Sequence, residues 1–380
     1  MYLKKLAVFF ERDGIISKDV VLSCPSYFTN TERQAILDAA EIAGFKCIRL
    51  LNEGTAAALT YGFFKKADLP KDTDKYVAFV DLGHSKTTIT ISAFRQGEMK
   101  ILASHSERNI GCRNIDYILV DKFGEEFNKK FGCDPRKNVR ARLRMLETIE
   151  KQRMILSANL ETTLNIECLL EDEDLHAPMK RSDLEEWMAP WAESFKACCQ
   201  KALDMSGLKA EQIESVEMVG EGTRIPIIQE ISKSVFNVEH CSRTQNSLEC
   251  IAKGCALQSA MLLPQYHVAN YVIHEYNQLS ISMEYFFKNA AGEETKKSTS
   301  EIFKVGSNFP HTKVITFDNK KDAFDLTLRY TDSSQLIAGL PPYIAHYKVA
   351  EGKPKHEKFS FILRVTNDIH NIARLESAEL

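Results

Sequence analysis

The 380-residue sequence contains no long uninterrupted apolar run. The nearest approach, Ile251–Leu263, is broken by Lys253 and Gln258 and falls short of the ~20 apolar residues a membrane helix needs. It has no basic surplus either. Its 49 Lys and Arg face 52 Asp and Glu, a net charge of −3, which removes the electrostatic argument for a nucleic-acid partner. None of the ten cysteines forms a Cys-x-x-Cys pair, and the adjacent Cys198-Cys199 is poorly shaped for a bridge, so the thiols read as reduced. His240-Cys241 lacks the spaced second pair of a zinc site and reads as no metal centre. The charged start Met1–Lys5 leads into a brief apolar patch that Arg12 and Asp13 interrupt. No secretory leader is expected from it, because a long apolar segment and a small-residue cleavage site are both missing. Low-complexity segments and internal repeats are also missing.

What remains is ordinary globular composition, 44% hydrophobic and 27% charged, in a chain long enough for two or three domains. The first ~265 residues alternate strand and helix signals, which argues α/β architecture. Val20–Cys24 and Cys47–Leu51 read as strands around a helix that Thr29 and Glu32 open with a capping box and Gly44 closes. Tyr76–Leu82 reads as a strand, and Thr87–Phe94 with Met99–Ser104 as a hairpin around Gly97. Val139–Asn159 reads as a long charged helix. Ser182–Met205 reads as one helix with a Ser182/Glu185 capping box, and its apolar stripe, both tryptophans included, reads as packing. After Pro264 the period changes to two: Phe324, Leu326, Leu328 and Tyr330 alternate with polar residues, as do Phe361, Leu363 and Val365, predicting half-buried antiparallel strands. Gly292–Ser300 and Gly352–Lys358 read as loops.

Four constellations carry chemistry. In Val80–Thr88 a strand ends at Asp81 and turns through Gly83, His84 and Ser85; backbone N–H groups of such a turn can converge on phosphate oxygens, and Asp81 can hold Mg²⁺ through water. A plain hairpin turn is an equal alternative. In Met218–Pro226 a strand gives way to Gly220-Glu221-Gly222, where glycine lets backbone approach a ligand, followed by Arg224, able to lie against an aromatic base, and a helix-opening Pro226. A tight strand-to-helix turn needing glycine for its dihedrals is the plainer alternative. Asn52–Ala58 delivers Glu53 to the start of an alanine-rich helix, as a dipole-complementing charge or a metal-water contact. Glu150, Arg153 and Ser157 share one helical face, a pattern more often a solvated charged face.

The order of these motifs resembles the heat shock protein 70 superfamily, and within it the 110-kDa branch, across essentially the whole chain. Cys24–Thr29, Asn52–Gly62, Val80–Ser85, Gly222–Pro226, Ala252–Leu257, Lys313–Phe317 and Asn367–Leu380 carry the likeness. His84 after Gly83, in place of a glycine triplet, and Leu263–His267 in place of an acidic leucine-rich linker point to the branch.

The resemblance implies an incomplete actin-like (ribonuclease H-like) α/β nucleotide-binding domain over residues 1–262, with an inserted subdomain over 111–189. A linker over 263–267 and an antiparallel β-sandwich of substrate-binding type over 268–380 follow. It implies ATP or ADP with Mg²⁺ as ligands. Glu53, Asp81, Gly83, His84 and Ser85 then fall near phosphates and metal. Gly111 and Cys112 fall near the ribose, and Glu150, Arg153, Ser157, Gly220, Glu221, Gly222 and Arg224 around the adenosine. The expected role is a chaperone of unfolded protein clients in the cytosol or nucleus, promoting nucleotide exchange on a 70-kDa heat-shock chaperone, with no nucleic-acid or membrane partner.

Several departures bear on that role. Met154 stands where the family places a second cation, Glu221 and Cys112 stand for glycines, and Leu248 stands for an acidic residue. Met1 aligns inside the family's nucleotide domain, beyond the first phosphate loop and the lobe of the catalytic lysine, so little or no hydrolysis is expected. That alignment also predicts exposed edges beside the strands at Val20 and Cys47. The helical lid, on which exchange in the family also depends, is not expected in a sequence that stops at the end of the β domain, and the long acidic insertion of the branch is not found. The alternatives are a fragment or degenerate paralogue that binds no nucleotide and acts only through protein interactions, and an actin-like-fold kinase, for which no sugar pocket is evident.

Overall fold

In the computed structural model, which describes residues 1–15, 17–288, 294–318, 323–350 and 360–379, the chain opens with α1 (Tyr2–Arg12), β1 (Asp19–Cys24), α2 (Asn30–Ile42), β2 (Lys46–Asn52) and α3 (Glu53–Phe64). Next come β3 (Lys75–Leu82), β4 (Thr87–Arg95), β5 (Glu98–Glu107), α4 (Cys112–Phe131), α5 (Val139–Leu156), β6 (Glu161–Leu170), β7 (Glu173–Lys180), α6 (Arg181–Trp187) and α7 (Ala189–Ser206). Then follow β8 (Ile213–Val219), α8 (Pro226–Phe236), β9 (Cys241–Ser242), α9 (Cys250–Leu262) and β10 (Val272–His274). The last strands are β11 (Ile281–Lys288), β12 (Glu294–Phe303), β13 (His311–Asp318), β14 (Phe324–Tyr330), β15 (Tyr343–Val349), β16 (Ser360–Asn367) and β17 (Ala373–Glu379). No helix among the described residues is long and apolar enough to cross a membrane. Contacts gather the chain into two compact units, one of residues 1–67, 96–101 and 251–380, the other of 68–95 and 102–250.

In the first unit β1 and β2 pair in parallel and form a sheet of their own. Both faces are apolar, as parallel strands under helices require. Val20, Leu22 and Cys47 face Leu3, Leu6 and Phe10 of α1 and Ala40 of α2. Val21, Ile48 and Leu51 face Ala56 of α3 and Cys255 of α9. Gly254 lets α9 close on α3, since a Cβ there would sit 2.0 Å from the Ala56 carbonyl oxygen. Thr29 and Glu32 form the expected capping box at the start of α2, and Gly44 follows its end at φ +87°. The segment called a brief apolar patch is the amphipathic helix α1.

Strands β11 to β17 of this unit form two antiparallel sheets, β12-β11-β14-β15 and β13-β16-β17. They share one core, in which Ile281, Met283, Leu326 and Leu328 of one sheet meet Phe361, Leu363 and Val365 of the other. The period-two readings of β14 and β16 are thus realised. The expected loop over 292–300 is not: Glu294–Phe303 pairs antiparallel along β11 as the edge strand of its sheet. Residues 292–293 and the expected loop over 352–358 lie outside the described residues.

Buried polar side chains bind the opening segment to the β strands. Arg33, fully buried, donates to the carbonyls of Phe28, Ser26 and His370, to Asn52 Oδ1 and to the Cys24 sulfur, so each arm of its fork has an acceptor. Glu275 accepts from Arg49 Nη2 (3.0 Å), Thr55 Oγ1 (2.7 Å) and Asn52 Nδ2 (3.4 Å).

His370 Nδ1 accepts the Leu50 amide at 3.1 Å, which requires the neutral ring. Burial holds its pKa below the ordinary 6.5. A group so depressed contributes stability that is present above the unfolded-state value and is lost as pH falls through 6.5 toward the folded-state value. Thermal melting between pH 7.5 and 5.5 should therefore show a declining midpoint, and His370→Asn should flatten that dependence. An identical pH slope in the variant would remove His370 as its cause.

In the second unit β3 lies between β4, antiparallel, and β8, parallel, and β9 extends the sheet beyond β8. Helices α4, α5, α7 and α8 cover it through a core that includes Phe123, Ile149, Phe195 and Phe236. The expected single helix Ser182–Met205 is two, α6 and α7, separated at Met188, because Pro190 in the first turn of α7 cannot accept a place in a continuous ladder. The Ser182/Glu185 capping box is absent as well; Lys180 is the N-cap and makes no side-chain cap bond, and Ser182 bonds Asp183 instead. Both tryptophans pack, Trp187 against Phe123 and Trp191 on Phe195. All ten cysteines are free.

Candidate nucleoside-binding pocket

The pocket is built by four element ends of the second unit. First, β3 ends at Leu82, paired with Thr87, so Gly83–Lys86 is a four-residue turn between strands. The Gly83 amide closes it on the Lys86 carbonyl at 3.0 Å. Among the described residues the amides of His84 and Ser85 meet no backbone acceptor, which leaves two N–H groups for an outside oxygen.

Second, α4 begins directly under this turn. The amides of Cys112 and Arg113 donate to the carbonyls of Gly83 (3.1 Å) and His84 (2.9 Å), so the turn caps the helix. Gly111 is required by this approach, since a Cβ there would lie 2.5 Å from the His84 carbonyl oxygen. Cys112 is buried beside it, and burial pushes its thiol up.

Third, β8 ends at Gly220, which takes φ +78° with the Leu82 carbonyl oxygen only 2.5 Å from where a Cβ would be. A 3-10 turn over Glu221–Arg224 then leads into α8, with Pro226 in the opening position expected of it. At Gly222 a Cβ would meet the Cys112 sulfur at 2.5 Å. Fourth, α5 presents Glu150, Arg153, Met154 and Ser157 on one face.

Together these ends enclose a cavity of about 530 Å³ lined by Gly83, His84, Cys112 and Glu150, then Arg153, Met154, Ser157 and Gly220, then Glu221, Gly222, Arg224, Ile225 and Leu248. Most of the expected site residues are therefore brought to one place. Gly111 shapes the cavity from beneath the turn. Asp81 lies at the strand end beside Gly220, Ser85 sits in the turn, and Glu53 opens α3 in the other unit.

Two of the lining charges are already engaged within the protein. Arg153 does border the cavity, but its guanidinium is committed: Nε and Nη2 donate to Asp116 of α4 at 2.6 and 3.2 Å, with both side chains almost wholly buried. Burial pushes the Asp116 carboxyl up, against the pull of the guanidinium. Glu221 is likewise held. It accepts from Arg224 Nε at 2.6 Å and from the Ser247 hydroxyl, and these bonds hold its carboxyl below the usual range. Arg224 is thereby fixed at the rim. Ser157 donates to the Met154 carbonyl at 2.6 Å and keeps its oxygen lone pairs for a ligand.

Asp116 and Ser247 were missed by the sequence reading. Asp116 has a signal: it lies four residues beyond Cys112 on α4, and an inward arginine on a neighbouring helix needs a carboxylate. Ser247 has none. The dimensions suit a nucleoside. The site offers an apolar wall (Met154, Ile225, Leu248), a carboxylate and a hydroxyl for sugar hydroxyls, an arginine for a base, and a turn with open amides for phosphate.

A family model described as Hsp70 protein matches residues 2–377. The chain is 37% identical over 363 residues to "Heat shock 70 kDa protein 16" of Arabidopsis thaliana, covering 95% of this chain and 47% of the relative. It is 35% identical to the "97 kDa heat shock protein" of Strongylocentrotus purpuratus, covering 95% and 40%, and 37% identical to "Heat shock 70 kDa protein 4" of Rattus norvegicus, covering 95% and 43%. The chain thus spans less than half the length of these relatives.

Proposed function

The chain belongs to the Hsp70 family, and from that membership and the pocket we propose that it binds ATP or ADP and serves as a chaperone or co-chaperone of the 110-kDa branch. The observation that carries the nucleotide reading is the cavity of about 530 Å³ in which the turn after β3, the start of α4, the α5 face and the turn after β8 converge. Glu150 and the Ser157 oxygen would take ribose hydroxyls, and Arg224, held by Glu221, would lie over the base. The open amides of His84 and Ser85 would face phosphate, with Asp81 holding Mg²⁺ through water. Bound Mg²⁺ supplies charge neutralisation for the phosphates. Arg153 serves as the buried support of the ribose wall and not as a ligand for it, because Asp116 already holds its guanidinium.

The two antiparallel sheets support a role in holding unfolded protein clients, and likeness to the 110-kDa branch supports action alongside a 70-kDa chaperone by promoting nucleotide exchange. The test is a melting curve with and without ADP and Mg²⁺. A ligand that binds only the folded state at 100 times its Kd adds about 2.7 kcal/mol. The midpoint should rise with ADP concentration, and the chain should slow aggregation of a heat-unfolded client. An unshifted midpoint at millimolar ADP would leave only the protein-interaction reading.

A further inference from the structure

We propose that His84, Asp116 and Glu150 form a binding site for one divalent transition-metal ion of the zinc type. The three residues come from three elements, the turn after β3, α4 and α5. One imidazole nitrogen and two carboxylate oxygens from them all lie within 4.8 Å of one another. On a tetrahedral ion with bonds of about 2.0–2.1 Å, ligand atoms stand about 3.4 Å apart, so the cluster must tighten by roughly 1.4 Å at most.

The arrangement permits that tightening. Asp116 is the fixed member, gripped through both oxygens by Arg153 and nearly without solvent exposure. A carboxylate so oriented by an outer partner is the usual support of a metal ligand. His84 is exposed and Glu150 half-buried, and among the described residues neither side chain is held by a hydrogen bond, so both are able to swing toward Asp116.

Charge and ligand type select the ion. Two carboxylates and one guanidinium leave a net −1 around the gap, and a dication relieves the repulsion between Asp116 and Glu150. A ring nitrogen disfavours Mg²⁺ and Ca²⁺, which take oxygen ligands, and favours Zn²⁺, Co²⁺ or Ni²⁺. Three protein ligands facing a cavity leave a coordination position open to water. The site shares Glu150 with the proposed ribose contact, so the metal is titrated without nucleotide.

The probe is Co²⁺, titrated into the reduced full chain and followed by visible absorption, with Zn²⁺ calorimetry in parallel. One equivalent should bind and give ligand-field bands without the thiolate charge-transfer band that a cysteine site would produce. His84→Ala and Glu150→Gln should each weaken binding at least about tenfold and remove those bands. His240→Ala, exposed and remote in sequence, should change neither. Asp116 is left intact in this test, because its loss would strand Arg153. Absence of stoichiometric binding, a thiolate signature, or affinity indifferent to both variants would overturn the proposal.

Discussion

Asp116→Ala should destabilise the second unit by about 3–5 kcal/mol in urea unfolding, the cost of leaving a buried charge without its partner. The side chains of Arg153 and Asp116 are 6% and 3% exposed, so solvent cannot replace the lost carboxylate. The pair joins α5 to α4 behind the cavity, and its loss should loosen the wall that carries Glu150 and Ser157. Removing both charges together is a different matter. Asp116→Leu with Arg153→Met replaces the pair by apolar groups of similar size and should recover most of the loss, because the desolvation cost of two ions disappears with them. The cycle of single and double variants gives the coupling directly. Single and double variants of equal stability would show that the pair is not what joins the helices.

Glu275→Ala should cost the first unit a comparable ~3–5 kcal/mol. Glu275 has no exposed side-chain surface and Arg49 only 8%, and the same carboxylate also satisfies Asn52 and Thr55. Truncation therefore strands one cation and two neutral donors at once. Glu275→Gln keeps an acceptor of the same shape and loses the charge, so it should fall between wild type and alanine. That ordering, read by differential scanning calorimetry, separates a charge effect from a packing effect. Equal melting of all three proteins would contradict the assignment of Glu275 as the anchor of this network.

How far the sequence reveals this molecule depends on whether a signal is local. The α2 capping box is legible because Thr29 and Glu32 are three residues apart and act on each other. The β14 and β16 strands are legible because burial alternates along them with period two. The pocket is legible as a set of motifs, since each of its corners is a glycine turn or a helix face that the sequence marks. Its electrostatics are not. Arg153 and Asp116 are 37 residues apart, and nothing local assigns them to each other. Ser247 reaches Glu221 across 26 residues, and nothing local assigns that bond either. The β6–β7 hairpin escaped because its turn uses Glu171 and Asp172 at positive φ where glycine or asparagine would have announced it. The α6/α7 break had a marker in Pro190, outweighed by an apolar stripe that keeps helical spacing on both sides of it.

The central claim is that the cavity between the α5 face and the two turns holds a nucleoside. The most direct measurement is calorimetric titration of ADP with Mg²⁺ into the folded chain, repeated with Gly222→Val and Glu150→Gln. Gly222→Val puts a branched side chain against the Cys112 sulfur and Leu82, into the floor of the cavity, and Glu150→Gln removes one charge from its wall. The account predicts saturable binding, weakened by Glu150→Gln and lost in Gly222→Val while circular dichroism shows both variants folded. Absence of heat from the folded wild type, or unchanged affinity in both variants, would contradict it.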